Sequence, residues 1–178
     1  MFRRKLFAAA MSVAILLTTT AVQAAPSATT SLTSTWTTPG DMIVEVGSVT
    51  VTETPDGVVS LSFDIMRTIQ CLGTAGASTT EHWQAADVPA SWSIKNNLSS
   101  ASAAATVAGG FSVTSNCPGV EPVSGNVGLV TIDTLATART MRERTADGVR
   151  ILTRSVDVAI VAGSLSRQAP GEIQKTIG

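Results

Sequence analysis

The segment at residues 54–58, Thr-Pro-Asp-Gly-Val, constrains the fold more than any other part of the chain. Proline and aspartate suit the two central positions of a type I turn, and the glycine follows where a positive φ is needed. If the first and last residues of the segment pair, apolar side chains meet on one face of the flanking strands: Val51 with Leu61 and Val49 with Phe63. The other face carries Ser and Thr. The segment therefore predicts an antiparallel hairpin with one buried face.

Further strands are expected at short intervals along the rest of the chain. Residues 91–94 and 111–115 are typical of strands, and residues 98–107 are assigned to a strand although alanine favours helix. Residues 81–89 fit either a short helical turn or irregular structure, and residues 128–162 indicate a second, longer hairpin. Few helical patterns accompany these strands. The sequence predicts an all-β fold, a single antiparallel β-sandwich or barrel.

The alternation of apolar residues breaks once within the first hairpin. Val46 and Val49 fall on different faces if the strand is regular, and Gly47 lies between them. A β-bulge at Gly47 would restore the pattern. On the return strand, every second residue up to Cys71 is expected to face the interior. Arg67 is the one charged residue among these positions.

Residues 1–24 have the organisation of a secretory signal peptide. Arg3, Arg4 and Lys5 precede an apolar run, and small residues stand before a cleavage position after Ala24. The paired arginines also resemble the twin-arginine export pattern, so the export route stays open. The expected protein is secreted, extracellular or periplasmic, with a cleaved signal helix and no membrane span after it.

Composition divides the remaining chain into three parts. Residues 25–39 are rich in Ser and Thr and lack periodicity, so a flexible leader is expected there. Residues 40–166 form the β-rich domain, and residues 167–178 are expected to fray. A domain of this size can bury a sizeable core, and the scarcity of aromatic residues leaves that core mainly to Val, Ile, Leu and Ala.

Cys71 and Cys117 are the only cysteines. In an exported chain an even pair predicts a disulfide, and two cysteines allow one connectivity. The loop that it closes is worth roughly 4 kcal/mol in the chain-entropy model.

His82 is the only histidine, which restricts the chemistry open to the chain. A zinc site would need three or four ligands, and a serine nucleophile would have to use this one residue as its base. Neither a G-x-S-x-G elbow nor a glycine-rich phosphate loop occurs. The expectation is a protein that is not an enzyme and has no metal and no cofactor.

Trp83 and Trp92 flank a region without clear periodicity and allow two interpretations. They could form a stacking platform for a sugar, or at least one of them could fill the core, which has few other large side chains. The second interpretation is favoured because tryptophan is highly buried on average.

Charge is distributed unevenly along the chain. Residues 25–138 carry two basic and nine acidic residues, whereas residues 139–178 carry seven basic and four acidic ones. If residue 145 faces residue 149 in the second hairpin, four arginines share one sheet face: Arg142, Arg144, Arg150 and Arg154. Such a patch could bind an anionic polymer or an acidic protein surface, although water and salt alone could also screen it.

Short motifs in the second half resemble a loosely defined group of exported, uncharacterised β-rich bacterial proteins. They are Asn116-Cys117-Pro118, Thr134-x-x-x-Ala138, Gly148-x-Arg150-x-Leu152-x-Arg154 and Ala162-Gly163-Ser164-Leu165. The resemblance implies export and a β-rich fold and brings no activity with it.

The sequence therefore favours a secreted, non-catalytic binding or surface-interaction protein of unknown partner. A carbohydrate-binding module using Trp83 and Trp92 is the first alternative, and a secreted hydrolase is the second. The chain carries no specific signal for nucleic-acid binding.

Overall fold

The computed structural model describes residues 27–178, so the predicted signal peptide lies outside the described residues. Ten β-strands make up the regular structure of this part of the chain, and none of it is a helix long and apolar enough to cross a membrane. The strands are β1 (Ala28–Thr38), β2 (Ile43–Glu53), β3 (Val59–Gln70), β4 (Ser78–Pro89), β5 (Ser91–Ile94), β6 (Ala101–Ser115), β7 (Val123–Ala136), β8 (Met141–Arg144), β9 (Arg150–Ala162) and β10 (Leu165–Ile177).

Eight of the strands close into an antiparallel barrel. Their order is β1-β2-β3-β4-β6-β7-β9-β10, and the ring closes because β10 pairs with both β9 and β1. Of the two remaining strands, β5 pairs with β6 and β8 pairs with β9. The all-β prediction is confirmed, and of the two architectures that the sequence left open the chain adopts the barrel.

The first hairpin has the predicted register, but the predicted bulge at Gly47 is wrong. Pairing between β2 and β3 continues without a break from Ile43 opposite Ile69 to Glu53 opposite Val59. Gly47 faces the interior by regular strand alternation, and the indole of Trp36 occupies the space that a side chain there would fill. A Cβ built at Gly47 would lie 2.5 Å from Trp36 Cε2 and closer still to Cζ2.

The predicted leader and the predicted frayed tail are both barrel strands. β1 lies within residues 25–39 and buries every second residue from Thr30 to Trp36. β10 covers nearly all of residues 167–178 and buries Ala169 and Ile173. Composition hid these strands, since Ser and Thr occupy many positions of β1 and a Pro-Gly pair, which is untypical of strands, lies in the middle of β10. Pro170 lies just beyond the pairing of β10 with β1, which ends at Gly171, so no partner strand on that side needs its missing N–H.

The interior of the barrel contains aliphatic and small side chains around two tryptophans. Buried residues come from all eight barrel strands and include Leu32, Val51, Ile65, Trp83, Ala103, Ile132, Val158 and Ile173. Residues 81–89, which the sequence left undetermined, belong to β4. Residues 101–107 of the predicted strand 98–107 and the predicted strand 111–115 are parts of a single long strand, β6, whereas residues 98–100 belong to the loop before it. The pairing of β6 with β7 shifts between Val107 and Gly110.

The second hairpin is more complex than the sequence predicts. β7 pairs with β9 from Val130 opposite Ala162 to Ala136 opposite Val156. Two extra residues then occur on the first limb before β8 resumes the pairing, with Met141 opposite Thr153. The tip, from β8 through the turn at residues 145–148, therefore extends past the β7–β9 pairing with its own register.

The predicted disulfide between Cys71 and Cys117 is present. It links the end of β3 to the segment after β6, and the two Cα atoms are 5.9 Å apart, within the usual range for a bridged pair. Thr79 donates a hydrogen bond to Cys117 Sγ at 3.3 Å. The bridge holds together three neighbouring strands, β3, β4 and β6, at one end of the barrel.

Candidate anion-binding site

The β8–β9 tip places three arginines on one sheet face. Arg144 lies directly opposite Arg150, and Arg142 lies opposite Leu152. Even-numbered residues of β9 face the barrel interior further along, as Val156 and its successors do, so the same face continues at the tip. We call Arg142, Arg144, Arg150 and Leu152 the arginine face.

A surface cavity of about 480 Å³ lies against the arginine face and is lined by all four of its residues. The three arginines are exposed, whereas Leu152 is partly buried and packs against the core. Glu143 also borders the cavity, although strand alternation directs its Cβ to the opposite side of the sheet. The cavity thus combines three cationic groups with one apolar side chain.

The charges of the arginine face are not neutralised by carboxylates. The ion pairs found within residues 27–178 involve Glu45, Glu81 and Asp64 on the acidic side, and none of them reaches the tip. Like charges directly opposite each other across two strands are destabilising. An anion that bridges Arg144 and Arg150 would remove this repulsion.

Arg154 is the member of the predicted patch that the structure separates from the other three. Its guanidinium donates to the carbonyl oxygen of Asn97 at 2.8 Å and to the hydroxyl of Thr140 at 3.2 Å. It therefore fastens the loop after β5 to the base of the tip. Leu98, in the same loop, is fully buried with a φ of 57°, a backbone conformation that leucine rarely adopts.

Of the two interpretations of Trp83 and Trp92, the structure agrees with the favoured one, in which a tryptophan fills the core, and the stacking platform does not form. Trp83 is a core residue with 2% of its surface exposed, and its ring lies 5.5 Å from that of Phe111. Trp92 is partly buried on β5, and its indole nitrogen is buried without a partner within the described residues. Trp83 cannot offer a free face to a sugar, which removes one of the two members that a platform requires.

His82 lies on the outer surface of the barrel. Its Nε2 is 2.8 Å from Asp64 Oδ1, and Ser112 lies directly opposite it on β6. These are the residue types of a nucleophile, a base and an orienting carboxylate, but they lie on regular paired strands. The backbone N–H groups of such strands are used for pairing, which leaves none for an oxyanion hole.

Sequence reasoning missed a group of charged side chains inside the other end of the barrel. Glu45 is 4% exposed and accepts hydrogen bonds from Trp36 Nε1 at 2.9 Å and from Arg67 at 2.8 and 3.0 Å. Arg167 lies 3.2 Å from the same carboxylate and donates to the hydroxyl of Thr38. The one sequence feature that pointed to this cluster was Arg67, a charged residue at an inward-facing position of β3. This cluster is internally paired and offers no free charge to a ligand.

No group of three or more His, Cys, Asp or Glu side chains in residues 27–178 is arranged to hold a metal ion.

Comparison of the chain with family models, with curated proteins and with solved structures finds no match. The case for a function therefore depends on the chemistry of the surface.

Proposed function

We propose that this is a secreted, non-catalytic binding protein that takes anionic groups at the arginine face. The observation that carries the proposal is the direct opposition of Arg144 and Arg150, both exposed and neither paired with a carboxylate of the described chain. Guanidinium groups bind phosphate, sulfate and carboxylate through two parallel hydrogen bonds. An oxyanion between the two arginines can accept from both.

A polymer with repeated anionic groups suits this site better than a single small anion. The face is open and its charges are exposed, so each individual contact is weakened by water and salt. Several contacts made at once offset this weakness. The arginines Arg142, Arg144 and Arg150 occupy neighbouring positions on two paired strands, which lets one chain contact all three.

The excess of acidic residues before the tip favours binding of a polyanion at the arginine face over binding elsewhere on the surface. Residues 25–138 hold nine acidic and two basic residues, so a polyanion is repelled from much of the surface and attracted to the tip. This asymmetry favours one orientation of the bound polymer over non-specific coating. A protein exported to an envelope or to the outside would meet anionic polysaccharides and phosphate-bearing polymers there.

Retention on immobilised heparin, used as a generic sulfated polymer, tests the proposal. The double substitution Arg144→Ser with Arg150→Ser should elute at clearly lower salt than the parent. The slope of log affinity against log salt concentration should fall by about two if each arginine releases one counterion. The matched control is Arg139→Ser with Lys95→Ser, which removes the same charge from exposed positions outside the arginine face. Equal retention of the two double variants would contradict the assignment.

A further inference from the structure

We propose a second ligand site, for a neutral oligosaccharide, on the outer surface of strands β1 to β4. Two adjoining depressions of about 370 and 710 Å³ lie there and share Ser48 and Asp64 in their linings. Volumes in this range are those of ordinary small-molecule sites. We call the combined depression the hydroxyl groove. It is independent of the arginine face, which lies on strands β8 and β9.

Strand register explains why a groove runs across these strands. Thr35, Ser48, Asp64 and Gln84 are consecutive partners across β1, β2, β3 and β4, and they form the floor. The next row along the strands contains Val46 opposite Met66, both exposed, and these longer apolar side chains form one wall. On the other side Thr50 lies opposite Ser62.

The chemistry of the lining fits a sugar. Hydroxyl, amide and carboxylate groups form the floor, and each can exchange hydrogen bonds with the hydroxyls of a saccharide. The apolar wall of Val46 and Met66 suits the C–H face that a sugar ring presents beside those hydroxyls. Several polar groups converging next to an apolar surface is the usual composition of a ligand site.

Charge in the hydroxyl groove favours a neutral ligand over an anionic one. Asp64 is the one carboxylate of the lining, and His82 binds its Oδ1 at 2.8 Å. This contact restricts the orientation of the carboxylate, which lines both depressions. An anionic polymer would be repelled by Asp64, whereas two neighbouring sugar hydroxyls can donate to a carboxylate.

Affinity electrophoresis through gels that contain one soluble neutral polysaccharide each (dextran, pullulan, galactomannan and xylan) provides the test. The parent protein should be retarded by at least one of these polymers. Ser48→Phe fills the floor that both depressions share and should abolish the retardation, and Asp64→Asn should weaken it about tenfold because a charge-assisted hydrogen bond is lost. Thr52→Phe is the matched control, because Thr52 lies on the outer face of the same strand beyond the lining.

The outcomes separate this proposal from that for the arginine face. Retardation that is lost in the Ser48→Phe variant and kept in the Thr52→Phe and Arg144→Ser/Arg150→Ser variants supports a neutral sugar site. Circular dichroism establishes that each variant is folded. An absence of retardation by all four polymers, or equal retardation of the two phenylalanine variants, would overturn the proposal. Heparin retention should be unchanged by Ser48→Phe in either case.

Discussion

The fit of Trp36 over Gly47 allows the packing of the barrel to be tested quantitatively. A methyl group at Gly47 would lie 2.5 Å from Trp36 Cε2, well inside contact distance. β2 is fixed by continuous pairing on both sides, so the indole has to move. Movement weakens the hydrogen bond from Trp36 Nε1 to the buried carboxylate of Glu45. Overpacking together with partial loss of that bond should lower the free energy of unfolding of Gly47→Ala by about 2–4 kcal/mol.

Urea unfolding monitored by tryptophan fluorescence measures this loss, and Gly125→Ala is the matched control. The nearest atom to a Cβ at Gly125 is Phe111 Cδ1 at 4.0 Å, so this substitution should be neutral or stabilise by up to about 1 kcal/mol. Trp36→Phe removes the ring atoms that clash, and Gly47→Ala should therefore cost at least about 1 kcal/mol less in that background. Additive effects of the two substitutions, or equal stability of the two alanine variants, would refute the packing argument.

Three further predictions concern the bridge, a turn and catalysis. Replacing Cys71 and Cys117 by Ser should lower the free energy of unfolding, measured in urea, by about 4 kcal/mol because the bridge spans 46 positions. The unreduced parent protein should show no titratable thiol when it is unfolded. The hydrogen bond from Thr54 holds the pKa of Asp56 below its ordinary value of 3.8, so the stability that it contributes is present above that value and is lost as the pH falls through the lower folded pKa. In Thr54→Val, NMR titration should show that pKa rising towards the ordinary value, and an unchanged titration would contradict the assignment. A panel of ester, glycoside and peptide substrates should not be hydrolysed, and an activity that disappears in His82→Ala would refute this expectation.

Local features of the fold could be predicted because local chemistry determines them. The turn at residues 54–58 fixes the register of the first hairpin, and the turn at 145–148 fixes that of the tip with Arg144 opposite Arg150. Both depend on residues that are close together in sequence. The disulfide could be predicted because only one pairing existed.

Features that depend on distant residues could not be read from the pattern. A glycine is needed at the inward-facing position 47 because Trp36, from another strand, packs over it, and the sequence around Gly47 does not show this contact. Arg67 is the charged residue among the inward-facing positions of β3, and its partners Glu45 and Glu81 come from the two strands that flank β3. The hydroxyl groove has no local signal in the sequence, because its floor of Thr35, Ser48, Asp64 and Gln84 exists only when four strands pair in register.

The pairing of β10 with both β9 and β1 also sets the order in which the molecule can be completed. Ser34 donates a hydrogen bond to the carbonyl oxygen of Pro170, 136 positions away. The contact between β1 and β10 therefore joins the first and the last of the ten strands to be synthesised. Until β10 has left the ribosome, β1 and β9 each expose an unpaired edge, and the growing chain cannot reach its final topology. Contacts of such long range make for slow folding. A barrel that stays open until its last strand is available keeps two strand edges unpaired for longer, and during that time pairing with another chain competes with closure.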